Sequence, residues 1–184
     1  MEKLEQVVLP NGVTLRNPLI MAPMTTQLSF FNGELTQDEI TYYTNRSHHI
    51  GAIITAAANV QPVGKGWEGE LGIFDDKFIP KLSQLASEIK PNGAKAIVQI
   101  FHAGRMTSHL TNGGLTPVSA SAVAAERENA EIPRALKDEE ILQVIEDFKF
   151  ATKRAIQAGF DGVEIHGANT YLIQQFFSPH SNRR

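Results

Sequence analysis

The sequence of 184 residues contains no cysteine, and its apolar runs are short. Without cysteine there is no disulfide, no thiol nucleophile and no cysteine-ligated zinc or iron–sulfur centre within these residues. No apolar run approaches the roughly 18 residues that a membrane-spanning helix needs, and the first residues do not resemble a signal peptide. We therefore expect a cytoplasmic protein that binds no membrane.

An excess of charge of one sign is also absent. Lysine and arginine together number 17, aspartate and glutamate 20, and the formal net charge is −3. This balance, with no basic run, argues against a nucleic-acid partner. Apolar residues make up 42% of the chain and charged residues 20%, as in ordinary globular domains. A disordered tail, a fibre and a coiled-coil rod are thereby excluded.

Secondary structure begins with a predicted hairpin and continues with alternating strands and helices. Asn11-Gly12 lies between two β-prone runs, which predicts a type I′ turn because both residues tolerate positive φ. Four apolar runs follow, each nearly continuous, as in parallel strands that are buried on both faces. These predicted strands are residues 19–24, 52–58, 94–101 and 162–166.

Three amphipathic helices are predicted between these strands. The first begins at a capping box formed by Thr36 and Glu39. The second has one apolar face, and the third begins near Asp138 and ends at Gly159, a residue suited to a helix C-terminus. The apolar face of the second helix contains Phe78, Leu82, Leu85 and Ile89; that of the third contains Ile141, Ile145, Phe148, Thr152 and Ala155.

The alternation of strands and helices predicts an α/β fold with a parallel sheet, either open or closed into a barrel. The turn after the first strand, Ala22-Pro23-Met24-Thr25-Thr26, is not the glycine-rich turn of dinucleotide-binding sheets. A long polar loop after the third strand favours a (β/α)8 TIM barrel, whose chemistry lies at the strand C-termini. Four strands are half of such a barrel. We therefore expect residues 1–184 to supply the N-terminal half of one barrel domain, with a hairpin cap over 1–18, four βα units over 19–184, and the remainder missing.

Polar residues follow the predicted strands where a barrel would place its site. His166, Asn169 and Tyr171 follow the fourth strand; an imidazole and an amide can donate to a substrate oxygen, and a phenol can supply a proton. Alternatively, His166 is a histidine of the rim and Tyr171 a packing aromatic. Gln99 lies within an apolar strand, so its amide needs partners, either the edge of a planar heterocycle or the backbone.

A metal site is the weaker interpretation of the histidines. His102, His166 and His180 are separated by spacings that match no common metal motif, and we predict no metal site. Arg105 is expected to bind its own loop rather than an anion.

Four groups of short motifs run in order along the chain and are specific only together. They are Leu9-Pro10-Asn11-Gly12 with Leu15-Arg16-Asn17; Met21-Ala22-Pro23-Met24-Thr25; Gln99 with His102-Ala103-Gly104-Arg105; and Glu164-Ile165-His166 with Tyr171-Leu172-Ile173-Gln174-Gln175-Phe176 and Ser178-Pro179. In these motifs the chain resembles the N-terminal half of the Old Yellow Enzyme family, the FMN-dependent NAD(P)H oxidoreductases and ene-reductases.

The resemblance implies a TIM barrel that binds FMN at its C-terminal mouth and uses NADH or NADPH as reductant. It implies ping-pong hydride transfer through flavin N5 to the activated C=C bond of a small α,β-unsaturated carbonyl-type substrate. By the same resemblance, His166 and Asn169 would hold the substrate oxygen, and Tyr171 would supply the proton. The implied flavin contacts are Pro23, Met24, Thr25, Ala57, Gln99 and His166, with the Thr25 hydroxyl near O4 and N5 and Gln99 at the pyrimidine edge.

The sequence departs from the family pattern at two positions near Tyr171. Asn169 replaces the second histidine of many members, and Thr170 replaces the usual glycine. The resemblance also places the phosphate-binding loops after the seventh and eighth strands, beyond the residues given. Residues 1–184 alone are therefore expected to be inactive and to form a homo-oligomer that covers their open sheet edges. Two alternatives stay open: the first part of a longer iron–sulfur flavoenzyme resembling dienoyl-CoA reductase or trimethylamine dehydrogenase, and a non-catalytic, self-associating half-barrel.

Overall fold

A computed structural model describes residues 4–184 and begins with the predicted hairpin. Strands β1 (Val7–Val8) and β2 (Thr14–Leu15) pair antiparallel. The turn is not type I′, because only Gly12 has a positive φ, of 85°. Pro10 restricts its own φ to the value that the first central position of a type I turn requires, and the Gly12 N–H closes that turn on the Leu9 carbonyl at 2.8 Å.

A parallel sheet forms the centre of the fold. Its strands are β3 (Ile20–Met21), β4 (Ala52–Asn59), β6 (Lys95–Phe101) and β9 (Gly162–Ile165), hydrogen-bonded in that order. A two-residue strand, β5 (Leu71–Gly72), extends β4 at its C-terminal end. The four predicted strands are thus present and parallel, in chain order across the sheet, as in successive strands of a barrel.

The expectation that all four strands are buried on both faces is wrong for the outer two. Strands β4 and β6 are almost entirely buried, whereas Ile20 of β3 is 48% exposed and Ile165 of β9 is 58% exposed. Each outer strand has a sheet neighbour on only one side within residues 4–184. Strand β3 is also shorter than predicted, since Pro23 has no N–H with which to continue the ladder.

Helices α1 (Gln37–Thr44), α2 (Ile79–Ile89) and α3 (Asp138–Gln157) follow β3, β5 and the long polar loop after β6, respectively. Thr36 caps α1 as predicted by accepting the Glu39 N–H at 3.2 Å. The Glu39 side chain does not complete the capping box; its two oxygens accept hydroxyl hydrogen bonds from Thr26 (2.8 Å) and Ser29 (2.5 Å). Tertiary partners for a buried carboxylate therefore replace the local bond to the backbone.

The connection between β6 and α3 carries short elements that were not predicted. Strands β7 (Val118–Ser119) and β8 (Arg134–Ala135) lie in this connection and pair parallel. Another unpredicted element, the short helix α4 (Leu172–Phe177), follows β9. Within residues 4–184 no helix has both the length and the apolar character needed to cross a membrane.

The main core lies between the sheet and helices α1, α2 and α3. The predicted apolar face of α2, from Phe78 through Leu82 and Leu85 to Ile89, is completely enclosed there. Burial of each such leucine or isoleucine side chain contributes about 1.5–3 kcal/mol. The core fixes the strand directions and so brings the C-terminal ends of β3, β4, β6 and β9 to one edge of the fold.

Candidate active site

The strand ends enclose a small cavity of about 130 Å³. Eight residues predicted from the sequence and the resemblance all line it, although they lie within or just after four separate strands and span almost 150 positions. A ninth lining residue, Trp67, was not predicted. The lining residues are Pro23, Met24, Thr25, Ala57, Trp67, Gln99, His166, Asn169 and Tyr171.

His166 continues directly from β9, and its backbone N–H donates to the Ile100 carbonyl at 3.0 Å. Its ring Nδ1 accepts the Ala168 N–H at 3.3 Å, so a neutral ring carries its proton on Nε2. Partial burial lowers the pKa of His166, with the Glu164 carboxylate opposing the shift. Near pH 7 the ring is therefore a neutral donor with its Nε2–H available to a ligand.

Tyr171 belongs to an aromatic cluster at the base of the cavity. Its ring packs edge-on against Phe101 at 4.5 Å between centroids and against His166 at 5.0 Å. Burial raises the pKa of Tyr171, and the nearby Glu70 carboxyl raises it further. The phenol therefore keeps its proton at neutral pH and can act as a proton donor.

Gln99 is buried in β6 and finds a side-chain partner rather than the backbone. Its Nε2 donates to Glu164 Oε1 on the neighbouring strand at 2.7 Å, where the two residues are directly paired in the sheet register. This bond fixes the amide plane, and the remaining side-chain oxygen has no hydrogen-bond partner within residues 4–184. The amide thus presents an acceptor to the cavity.

The segment that carries Asn169 has an unusual backbone. Asn169 and Thr170 adopt φ values of 53° and 67°, a region that costs a β-branched residue such as threonine about 1–3 kcal/mol. The buried Gln175 stabilises the segment by donating to the Thr170 carbonyl at 2.7 Å and to the Ala103 carbonyl at 3.1 Å. The strained turn aims the Asn169 side chain at the cavity.

No motif predicted Trp67, because it lies in a loop between the 3-10 turn (Pro62–Gly64) and β5 rather than at the C-terminal end of a strand. Its ring packs on Phe101 with 5.3 Å between centroids. The one available signal was composition, because this is the single tryptophan of the chain, and large aromatic side chains in loops often contribute to binding sites.

The three histidines considered as metal ligands do not converge. His102 is buried, where its Nδ1 accepts the Gly104 N–H at 3.0 Å and its Nε2 contacts Gln61 Oε1 at 3.1 Å. His180 pairs with Glu126 at 2.9 Å on the surface. Within residues 4–184 no three His, Asp or Glu side chains are arranged to hold a metal ion. Arg105 binds its own loop, as expected, through the Val123 and Ala124 carbonyls at 3.0 Å each.

The cavity suits one edge of a flat heterocycle. Ala57 offers a small apolar surface, and Met24 is 60% exposed at the mouth. The Thr25 hydroxyl and the Gln99 side-chain oxygen lack partners within residues 4–184 and can bond to polar atoms at a ring edge. This combination of a small apolar contact and unpaired polar atoms fits the flavin that the resemblance predicts.

Comparison with known proteins gives the same assignment. The family model "NADH:flavin oxidoreductase / NADH oxidase family" matches residues 8–184. The chain is 56% identical to NADH:acrylate oxidoreductase of Vibrio harveyi and 50% identical to NADH:fumarate oxidoreductase of Klebsiella pneumoniae, with 98% of the chain covered in each case.

The chain is much shorter than these relatives. It spans 18% of the Vibrio protein and 20% of the Klebsiella protein. A solved structure, the Old Yellow Enzyme homologue of Zymomonas mobilis, superposes with a TM-score of 0.92 at 30% identity over 98% of this chain and 52% of that one. The four parallel βα units therefore form part of a TIM barrel. The match of its sequence and the superposition of its parallel sheet show that this chain belongs to the FMN-dependent NADH:flavin oxidoreductase, or Old Yellow Enzyme, family.

Proposed function

We propose that the enzyme carrying this chain is an FMN-dependent NAD(P)H oxidoreductase that reduces the activated C=C bonds of α,β-unsaturated carbonyl-type substrates. The observation that supports this most is the convergence of His166, Asn169 and Tyr171 on the same small cavity as Thr25 and Gln99. Two donors for a carbonyl oxygen and one proton donor are what such a reduction requires. We expect the enzyme in the cytoplasm.

This chain would hold the ring system of the flavin. Gln99 would bond to the pyrimidine edge of the flavin ring. The Thr25 hydroxyl and the backbone of Pro23 and Met24 would contact another edge, and Ala57 would pack against the ring face. When bound, FMN supplies the hydride, which it takes from NADH or NADPH. The bond from Gln99 to Glu164 orients the amide before the cofactor arrives, so little of its side-chain entropy remains to be lost on binding.

The substrate oxygen would accept hydrogen bonds from His166 Nε2 and the Asn169 amide. Both groups are neutral donors, and they gain strength as negative charge develops on that oxygen during hydride addition to the β-carbon. The Tyr171 hydroxyl then donates its proton to the α-carbon. The raised pKa of Tyr171 favours the protonated phenol before transfer, and the packing of its ring on Phe101 and His166 holds the hydroxyl in a constant direction.

The experiment that tests this function replaces both His166 and Asn169 with alanine in the flavin-loaded enzyme. We expect enone reduction to fall by about 10²–10³-fold, the usual cost of removing donors at a developing oxyanion. Flavin reduction by NAD(P)H should fall much less. An oxidative half-reaction at the unchanged rate in the double variant would contradict the assignment of these residues.

The flavin contact is tested separately with Gln99→Ala. We expect weaker FMN binding and a changed redox potential, because a polar ring edge would be left without a partner in a buried position. The matched control is Gln143→Ala on the exposed side of α3. Unchanged flavin occupancy and potential in Gln99→Ala would contradict the proposed contact.

The share of the relatives that the chain covers supports a second candidate. Because the chain matches less than a fifth of the Vibrio NADH:acrylate oxidoreductase, it could serve as the NADH-oxidising part of a longer enzyme that passes electrons to a further centre. Stopped-flow kinetics separates the two functions. If the chain is the NADH-oxidising part of a longer enzyme, NADH reduces the flavin rapidly, but enones do not reoxidise the reduced flavin at this site.

A further inference from the structure

The loop of residues 65–70 positions a side chain that neither the motifs nor the family comparison assigned. It runs from a 3-10 turn (Pro62–Gly64) to β5 and carries Trp67 to the cavity. Such a loop has no ladder hydrogen bonds of its own, so the position of Trp67 depends on whatever else holds the backbone.

Near the end of the loop the Gly69 carbonyl accepts the Ser29 N–H at 3.1 Å; at Gly66 and Trp67 the support comes from the carboxyl group of Glu70. One of its oxygens, Oε2, accepts the N–H of Gly66 at 2.6 Å and the N–H of Trp67 at 3.3 Å. Glu70 is only 1% exposed, and its other oxygen is buried without a partner among the described residues. Burying a carboxyl group with one oxygen unpaired costs free energy, and the two hydrogen bonds to Oε2 offset part of that cost.

The loop is also pressed against the aromatic cluster. A Cβ atom at Gly66 would lie 3.2 Å from Glu70 Oε2 and 3.2 Å from the Phe101 ring, so a larger residue here would require one of these neighbours to shift slightly. Phe101 in turn packs on both Trp67 and Tyr171. The carboxyl group, the loop and the proton donor are therefore in one continuous contact.

We propose that Glu70 is a positioning residue that holds the Trp67 ring as one wall of the site and thereby limits the size of the unsaturated substrate that the site admits. This proposal rests on the proposed function, since it concerns the same cavity. Without the hydrogen bonds from Gly66 and Trp67 to Glu70, the backbone of the loop is free to rotate. The indole ring of Trp67 then moves away from Phe101, and the cavity widens on the Trp67 side.

Two variants of Glu70 and a matched control test the proposal. Glu70→Leu keeps the side-chain volume but removes the acceptor, whereas Glu70→Gln keeps an oxygen that can accept both N–H groups. Glu68→Leu removes an exposed carboxylate from the same loop and serves as the control. Trp67→Ala removes the wall itself.

The first measurement is the ratio of kcat/KM for carvone, a bulky enone, to that for 2-cyclohexenone. We expect Trp67→Ala to raise this ratio by about tenfold or more, the scale of steric discrimination in an apolar pocket. Glu70→Leu should raise it in the same direction through KM for carvone, and Glu70→Gln and Glu68→Leu should leave it near the original value. An unchanged ratio in Trp67→Ala overturns the proposal.

The second measurement does not depend on activity. The emission of Trp67, taken as the difference between the enzyme and its Trp67→Phe variant, should shift to the red and become more accessible to iodide in Glu70→Leu but not in Glu70→Gln. An identical emission in Glu70→Leu overturns the proposal. If Glu70→Leu does not fold, Glu70→Asp, which withdraws the acceptor by one methylene, takes its place with the same two criteria.

The two measurements keep this proposal separate from the proposed function. If the unaltered enzyme does not reduce 2-cyclohexenone, the proposed function fails, and the emission measurement still decides whether Glu70 positions Trp67. If the enzyme reduces 2-cyclohexenone but the carvone ratio is constant across all variants, the function stands and this inference fails.

Discussion

The middle of the central sheet and its β9 edge differ in how completely the helix packed there is covered. On the covered side, in the middle of the sheet, α2 packs against β6 between α1 and α3, and its whole apolar face is enclosed. On the open side, α3 lies beside the unpaired edge of β9. There Ile145 is 58% exposed, and only Ala155 of the predicted face is fully buried.

The exposed face of α3 forms one wall of an apolar groove of about 490 Å³. Its other walls are β9 and α4. The groove lining is nearly all apolar and includes Leu136, Ile141, Val144, Ile145, Phe148, Ile165, Leu172, Phe176 and Phe177. Periodicity therefore predicts which face of a helix is apolar, but burial needs a neighbouring element, and within residues 4–184 the open side lacks one.

The largest expected difference between the two sides is in the cost of cavity formation. Leu85→Ala on α2 should lower the free energy of unfolding by about 2–5 kcal/mol. Ile145→Ala on α3, already half in water, should change it by less than about 1 kcal/mol. Urea denaturation of the two variants measures both values. Equal costs would mean that Ile145 is covered in the protein in solution.

A pH experiment compares a fully buried histidine with a partly buried histidine at the open side. Burial lowers the pKa of His102 to about 3, so below pH 6.5 the unfolded chain binds a proton that the folded chain does not. Stability should therefore fall as the pH falls from 6.5 toward 3, by about 1.4 kcal/mol per pH unit from this residue. His102→Asn, which keeps an acceptor for the Gly104 N–H, should flatten this dependence.

His166 on the open side provides the contrast for that experiment. Its pKa is also lowered by burial, but the residue is only partly buried, and the slope removed by His166→Asn should be clearly smaller. Unfolding free energies at several pH values between 4 and 7, as differences from the unaltered protein, cancel the contributions of the carboxyl groups. A steeper change in His166→Asn than in His102→Asn would contradict the burial argument.

Self-association is the next test of the open side. We propose that residues 1–184, produced alone, associate through the groove and the free edge of β9, because a second copy would cover both. Ile145→Lys should weaken the association at least about tenfold, or about 1.4 kcal/mol, in light scattering over a concentration series. The control is Leu142→Lys, an exposed α3 position outside the groove lining. A monomer at all concentrations would contradict the proposal.

The smallest expected effect is at the strained turn beside the site. Thr170→Gly should raise the free energy of unfolding by up to about 1 kcal/mol, because glycine adopts the φ of 67° without steric cost. Gly12→Ala in the hairpin, at a φ of 85°, is the opposite change and should destabilise. Thermal unfolding of both variants gives the sign, and a destabilised Thr170→Gly would show that the turn is not strained.

Local patterns account for much of what was predicted correctly. The order of strands and helices, the cap at Thr36 and the end of α3 before Gly159 depend on neighbours within a few residues, which the chain carries wherever it folds. The strand ends likewise predicted where His166 and Gln99 would lie, since parallel strands place their C-termini at one edge. The roles of these residues in catalysis stay predictions.

Long-range contacts account for what the sequence did not reveal. The Glu39 side chain accepts hydrogen bonds from Thr26 and Ser29 instead of completing the capping box. Gln99 donates a hydrogen bond to Glu164, which is 65 positions away along the chain. Trp67 lines the cavity from a loop whose backbone bonds to Glu70, and its ring packs on Phe101. Each of these contacts depends on which side chains lie close together once the strands are paired. The distances between residues far apart in the chain cannot be read from a single sequence.

The amino-acid sequence by itself determined the alternation of elements, the polarity of each helix face and the set of polar residues at the strand ends, because these follow from local propensity and from spacing along the chain. Only the tertiary structure decided which apolar face is covered, which carboxyl group holds which loop and how wide the site is. Those properties depend on burial and on partners distant in sequence, whose energies are set by packing in three dimensions.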